Sequence, residues 1–309
     1  MRKIKYYRHH QIDQEKWDKT IDASYNGMVY AYTFFLNSMA GKRWDALILG
    51  DYEAVFPLVY GRKFGMRYLY QPFFCQQLGL FSKTRITQDQ MEQFIKAIPR
   101  KFVYWDFHLN YENDFFNPLI NFVNRTSFTI DLHQDYVSIY DKFNSDAKKN
   151  LAKSAIIGYN IVSQDPVNIA ADCFFEAYGH WYPNVPSLKK KITQCAHTAI
   201  QLNKGFTRSI YGKDGQLWCS GFFFMAKNRI HYAMAAPTEE GKKYGATHIL
   251  IDEVLKEFSN RLMVFDFEGS DLKSVAYFYA KFGSVKQHYL EIKRNRLPWW
   301  CQLIMSVRG

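Results

Sequence analysis

The chain has no run of the ~18 apolar residues that crosses a bilayer. Its basic start, MRKIKYYRHHQIDQEKWD, lacks the apolar centre of a secretion signal. Cysteine is sparse: Cys75, Cys173, Cys195, Cys219 and Cys301 are odd in number, widely scattered and without the paired spacing of a zinc site. They read as free thiols of a reducing compartment, so a cytoplasmic location is expected. The sequence contains no glycine-rich Walker loop, no Gly-x-Ser-x-Gly elbow and no His/Cys cluster with metal spacing. No metal is therefore expected. No Pro/Gly/Ser-rich linker separates the two halves.

Aromatic residues, by contrast, make up 18% of the chain, suited to filling cores or lining grooves. The net charge of +11 favours polyanionic partners such as nucleic acid, phosphate-bearing nucleotides or an acidic surface, without choosing among them. A length of 309 residues suits two domains of about 150 each.

Periodicity predicts helices within 17–40 and over 88–98, and strands over 44–50, 54–60, 67–70, 102–107 and 125–132. In the second half, 168–178, 188–202 and 244–258 read as helices. The strands 206–211, 217–226 and 229–235, joined by short turns, read as an antiparallel meander. The stretch LMVFDFEGSDLKSVAYFYAKFGS, 262–284, then reads as a strand over 262–267, an acidic Gly-Ser-Asp turn, and a helix from Asp271 to Phe282 closed by Gly283. A strand over 287–292 completes the order. Open α/β sheets carry their chemistry at the carboxyl ends of strands, which draws attention to this turn.

Two segments at this spacing, Asp266-Phe267-Glu268-Gly269-Ser270 and Phe278-Tyr279-Ala280-Lys281-Phe282-Gly283, resemble the GNAT acyltransferase superfamily and its FemABX branch. The resemblance implies an α/β (α+β) protein of two tandem GNAT-like domains, 1–143 and 144–309, each a mixed, mostly antiparallel sheet flanked by helices. The second would carry the active site and the first would be degenerate. It implies transfer of an acyl or aminoacyl group from acyl-coenzyme A or aminoacyl-tRNA to a primary amine. The partner would be a phosphate-bearing or cell-wall-precursor substrate, with tRNA as the carrier in the FemABX case.

Four groups of residues are candidates for this chemistry. Asp266 and Glu268, at i and i+2 on a strand, should point to one side, where either carboxylate could orient or deprotonate an amine. Tyr279 matches the GNAT tyrosine that protonates the leaving group; the FemABX pattern has lysine there, and here Lys281 follows two residues on. The helix start near Lys242, Lys243, Gly245 and Ala246 favours an anion through its N–H groups and dipole. By resemblance it is the pyrophosphate loop, with Lys242 in place of Gln/Arg and Thr247 in place of a small residue.

The fourth group is for the acceptor. Lys149 and Lys153 align on a polar helix within 140–158 whose apolar stripe is Ala147, Leu151 and Ala155, a face suited to phosphate. Trp181 and Tyr182, in a rigid proline-bearing loop beside His180, could wall an acceptor groove. Two other readings stay open: a coenzyme A-dependent N-acyltransferase acting on an amino sugar or polysaccharide precursor, and a non-catalytic nucleic-acid or nucleotide-sugar binding module.

Overall fold

A computed structural model describes residues 3–269 and 272–297; Ser270, Asp271 and Cys301 of the sequence reading lie outside the described residues. The first elements are β1 (Ile4–Tyr7), α1 (Gln14–Ala23), α2 (Thr33–Ala40), β2 (Trp44–Leu49), β3 (Ala54–Lys63), β4 (Met66–Tyr70), β5 (Phe81–Ser82), α3 (Gln88–Ala97), β6 (Phe102–His108) and β7 (Asn121–Asp131). Next come α4 (Tyr136–Asp141), α5 (Ser145–Ile157), β8 (Tyr159–Ser163), α6 (Val167–Tyr178), α7 (Val185–Gln201), β9 (Gly205–Gly212), β10 (Leu217–Ala226) and β11 (Arg229–Pro237). The last are α8 (Glu239–Lys243), α9 (Ala246–Phe258), β12 (Val264–Gly269), α10 (Lys273–Ala280) and β13 (Val285–Asn295).

Two compact units form, one from residues 1–125 with 288–309 and one from 126–287. These bounds differ from the expected 1–143 and 144–309: α4 falls in the second unit and most of β13 in the first. Each unit is a mixed, mostly antiparallel sheet flanked by helices.

In the first unit the strand order is β1-β2-β3-β4-β6-β13, and only β4 with β6 runs parallel. Helices start where side chains satisfy their first N–H groups: Asp13 accepts from Lys16 N for α1, and Thr87 from Gln90 N for α3. The aromatic content goes largely into the core. Trp17, Trp44, Trp105, Phe56, Phe94 and Phe102 are fully buried. Each such side chain removes ~200 Å² from water, worth up to ~5 kcal/mol.

The second unit has the order β7-β12-β11-β10-β9-β8, with only β11 and β12 parallel. The parallel step needs a crossover, and α9 supplies it. Its expected apolar stripe, Leu250, Ile251, Val254, Leu255 and Phe258, is buried against the sheet. α5 buries Ala147, Leu151 and Ser154 while Ala155 is exposed, because 3.6 residues per turn carries the stripe to 154. The Ser154 hydroxyl is satisfied by the Asn150 and Tyr244 carbonyls. The helix expected over 271–282 is shorter: after Ala280 the N–H groups of Phe282 and Gly283 close tighter turns onto Tyr279 and Ala280, and Gly283 takes φ +68°. Among the described residues no helix is long and apolar enough to cross a membrane.

Candidate active site between two parting strands

The site is built where β11 and β12 separate. Their ladder has three residue pairs, Arg229–Val264, Ile230–Phe265 and His231–Asp266. Beyond it, among the described residues, β11 continues against β10 only and β12 against β7 only. Each strand carries a bulge just past the last pair. On β11, Phe222 faces Met234 and Phe223 faces Tyr232, leaving Ala233 as an extra residue. On β12, Asp266 faces Thr129 and Gly269 faces Ser127, again with one residue too many. A bulge bends and twists its strand, so two of them here turn the strands apart.

Glu268 sits in the β12 bulge at φ +65°, a conformation that costs a non-glycine residue roughly 1–3 kcal/mol. Asp266 holds it there, accepting the Glu268 N–H at 2.8 Å. Asp266 is itself fully buried and takes Arg229 Nη1 at 2.6 Å and the Ser127 hydroxyl at 2.5 Å. Its two oxygens thus serve a guanidinium, a hydroxyl and an amide. The bulge between Asp266 and Gly269 breaks the alternation on which the i, i+2 expectation rests, and the two carboxylates differ in surroundings: the Glu268 side chain is 20% exposed and that of Asp266 is closed off. The buried His231 ring lies by both, with Nδ1 3.8 Å from Glu268 Oε1 and 3.9 Å from Asp266 Oδ2.

Tyr279, on α10, stacks on Phe267 at 4.7 Å between ring centroids and meets the edge of Tyr232 at 6.3 Å. Ile230, Phe265 and Phe267 form a core with α9 on that face. Strand alternation puts Arg229, His231 and Asp266 on the opposite face. Tyr178, at the end of α6, and Tyr182 belong to the segment that covers the opposite face. Yet the Tyr279 phenol is pushed well above its ordinary pKa, first by burial and then by Glu268, Tyr178, Asp266 and Tyr182. Burial, and then Glu268, likewise raises the Tyr182 phenol. Trp181 is 59% exposed and stacks on Tyr178 at 5.7 Å.

The helix start lies after β11. Gly245, at φ +64°, precedes α9 as its N-cap residue, and no side chain caps the helix. Ala246 is fully buried and Thr247 half-buried, so of the first N–H groups that of Thr247 is the one nearest solvent. A Cβ on Gly245 would stand 3.2 Å from the Asn150 side-chain oxygen, so α5 crowds the same spot. Lys153 donates to the Lys243 carbonyl at 3.3 Å, which joins two of the candidate groups. Lys242 and Lys243 are exposed and pair with Glu239 and Glu240 at 2.5 and 2.6 Å. Lys149 points to solvent, and Lys281 pairs with Asp146. Among the described residues no cluster could hold a metal ion.

Arg229, His231, Ser127, Tyr178 and Asn150 were missed from the sequence. Arginine and histidine two apart in an apolar strand were a usable signal, since buried charge needs a partner.

The first unit repeats the parallel ladder and its parting. Its parallel ladder pairs Leu69–Trp105 and Tyr70–Asp106, so Asp106-Phe107-His108 stands where Asp266-Phe267-Glu268 stands in the second. There the Gln71 side chain takes the His108 N–H at 3.0 Å and donates to the Cys75 carbonyl at 2.7 Å. Leu78 then returns to pair with Leu109.

No protein-family model matches the sequence, and no curated protein matches it. Solved structures do. FemX matches with a TM-score of 0.66 at 9% identity, over 90% of this chain and 96% of that one. The L-PGS of Bacillus licheniformis matches at 0.56 and 11% identity, over 96% of each chain. A tandem GNAT protein from the clavulanic acid biosynthesis pathway matches at 0.51 and 10% identity, over 96% of this chain and 99% of that one. At such identities the likeness is one of fold: this chain has a tandem GNAT-like fold.

Proposed function

We propose that the protein is an N-acyltransferase that moves an acyl or aminoacyl group onto a primary amine, and that the second unit does the chemistry. The observation that carries this reading is the parting of β11 from β12, with Glu268 and Tyr279 at the opening and an uncapped helix start after β11. The carrier phosphate would lie at the start of α9, by the N–H of Thr247. Glu268 takes a proton from the amine, directly or through water, as it attacks the donor carbonyl. Backbone N–H groups released from the ladder hold the oxyanion, and the Tyr279 phenol protonates the leaving group. A phenol with a raised pKa keeps its proton until a leaving group demands it.

Asp266 in this scheme is an anchor, since its oxygens serve Arg229, Ser127 and the Glu268 amide. In the first unit Gln71 takes up the His108 N–H and the Cys75 carbonyl where the strands part, which supports assigning that unit a role other than transfer.

The FemABX resemblance implies an aminoacyl-tRNA donor and a cell-wall-precursor acceptor. A coenzyme A thioester is favoured by one observation: tyrosine stands at the FemABX lysine position, and Lys281 is held by Asp146. The test is mass-spectrometric detection of acyl transfer to amine acceptors, amino sugars included, from acetyl-coenzyme A and from aminoacyl-tRNA. Transfer by the wild type that Glu268→Gln lowers at least a hundredfold supports the proposal. No transfer from either donor, with binding of nucleic acid or nucleotide sugar retained, would leave a binding module.

A further inference from the structure

We propose that one end of the first unit's sheet is a docking surface for an anionic phospholipid bilayer; this stands apart from the transfer reading. Residues paired across β3, β4, β6 and β13 form the row Tyr60, Leu69, Trp105, Arg294 and so share one face. Two residues further along these strands, Arg62, Arg67 and Arg296 stand on the same face. Arg62 and Arg67 lie directly opposite one another, and like charges so placed weaken a sheet. Arg67 lies over the Tyr60 ring at 5.3 Å, and Arg294 and Arg296 lie over Trp105 at 4.9 and 5.9 Å. Lys101 precedes Phe102, the residue opposite Arg67 on β6, and Lys63 leads into the β3–β4 turn. Among the described residues none of these six cations has a carboxylate at ion-pair distance. Asp45, which acts on Lys101, is buried and already engaged by the Tyr6 hydroxyl and the His9 N–H. Burial lowers the pKa of Lys101, with Asp45 opposing and Arg67 adding to the shift; burial and then Arg296 lower that of Arg294. The row is thus crowded with positive charge that the fold does not neutralise.

Apolar groups stand beside it. Phe64, in the β3–β4 turn, is 76% exposed at φ +50°, a backbone that strains a non-glycine residue, so the folded chain covers little of the ring. The chain also leaves the sheet at this corner. The Arg296 N–H bonds the Val103 carbonyl at 2.8 Å, and the twelve residues PWWCQLIMSVRG follow Leu297. No acidic residue follows Glu291. Two tryptophans with Leu303, Ile304, Met305 and Val307 suit the boundary between headgroups and acyl chains. Nucleic acid would use the cations and the aromatic faces but has nothing for the aliphatic side chains, so the composition favours lipid. Charge and apolar insertion together supply the two signals that stable attachment to a bilayer needs.

The test is co-sedimentation of the full chain with vesicles of phosphatidylcholine alone and of equimolar phosphatidylcholine and phosphatidylglycerol. The wild type should bind the anionic vesicles, ignore the neutral ones, and release as salt is raised. Each cation removed should weaken partitioning about fivefold, so Arg62→Gln with Lys63→Gln should lower it about 25-fold. Phe64→Ser should lower it several-fold at every salt concentration. All three positions are exposed, so neither variant should melt below the wild type. Equal binding to both vesicle types, no binding to either, or wild-type binding by the double variant would overturn the proposal. So would retention of tRNA on a filter with the vesicles ignored, which would make the row a nucleic-acid surface.

Discussion

Asp266→Ala separates an anchor from a catalyst. The side chains of Arg229 and Asp266 are 6% and 0% exposed and meet at 2.6 Å, so neither is solvated by bulk water. Removing one member of a buried pair leaves the other charge in a poor solvent and costs about 3–5 kcal/mol. The Ser127 hydroxyl and the Glu268 N–H lose their acceptor as well, at about 1 kcal/mol each. These losses share one carboxylate and do not add fully, so about 4 kcal/mol is expected. The double variant Arg229→Met, Asp266→Leu should be more stable than Asp266→Ala alone, since an apolar pair strands no charge. Equilibrium urea denaturation of the three forms, followed by circular dichroism, measures this. Activity should fall in Asp266→Ala because Glu268 loses the bond that holds its backbone at φ +65°. If Asp266→Ala unfolds at the wild-type midpoint while activity vanishes, Asp266 acts in the chemistry and the anchoring argument is wrong.

Tyr279→Phe keeps the ring stack on Phe267, so stability should be near wild type while turnover falls at least tenfold with donor affinity unchanged; unchanged turnover would remove the phenol from the mechanism. Glu268→Gly should abolish transfer yet hold or raise the melting midpoint, because glycine takes a positive φ without strain; a lower midpoint would count against the strain argument. Asp252 is 7% exposed, and burial pushes its pKa from 3.8 to about 6 against the hydrogen bond from Tyr136. Its folded pKa is the higher one, so its contribution to stability falls as pH rises from about 4 to about 6 and is level above. Asp252→Asn should therefore gain up to ~3 kcal/mol at pH 8 and little at pH 3.5, read from paired urea titrations. A constant difference across pH would contradict this.

Local patterns were the legible part. The α9 stripe, the meander turns and the strand-to-helix order around Glu268 depend on neighbours in sequence, and all were visible there. The two bulges and the three-pair ladder were not, because register is settled by strands far apart in the chain. Asp266 and Glu268 look alike in sequence, two acids at i and i+2. Only the folded chain brings Arg229 and Ser127 to one of them and opens the other. Asp106-Phe107-His108 went unnoticed as an echo of Asp266-Phe267-Glu268 for a similar reason. Two shared residues form no visible repeat until each is aligned by the last rung of its own parallel ladder. Lys242 and Lys243 were read by charge, and nothing in composition reveals that each meets a glutamate three residues earlier. The expected helix start at Asp271 lies outside the described residues.

The most direct measurement is a thermal-shift titration of wild type and Gly245→Val with acetyl-coenzyme A, aminoacyl-tRNA and UDP-sugars. Valine at a φ of +64° would crowd Asn150 and close off the start of α9. The account predicts that an acyl carrier stabilises the wild type, by about 2.7 kcal/mol at a hundred times its Kd, and that the valine form loses the shift. Stabilisation by acetyl-coenzyme A alone would reject the tRNA donor. No shift with either acyl carrier, or an equal shift in both proteins, would contradict a donor site at the start of α9.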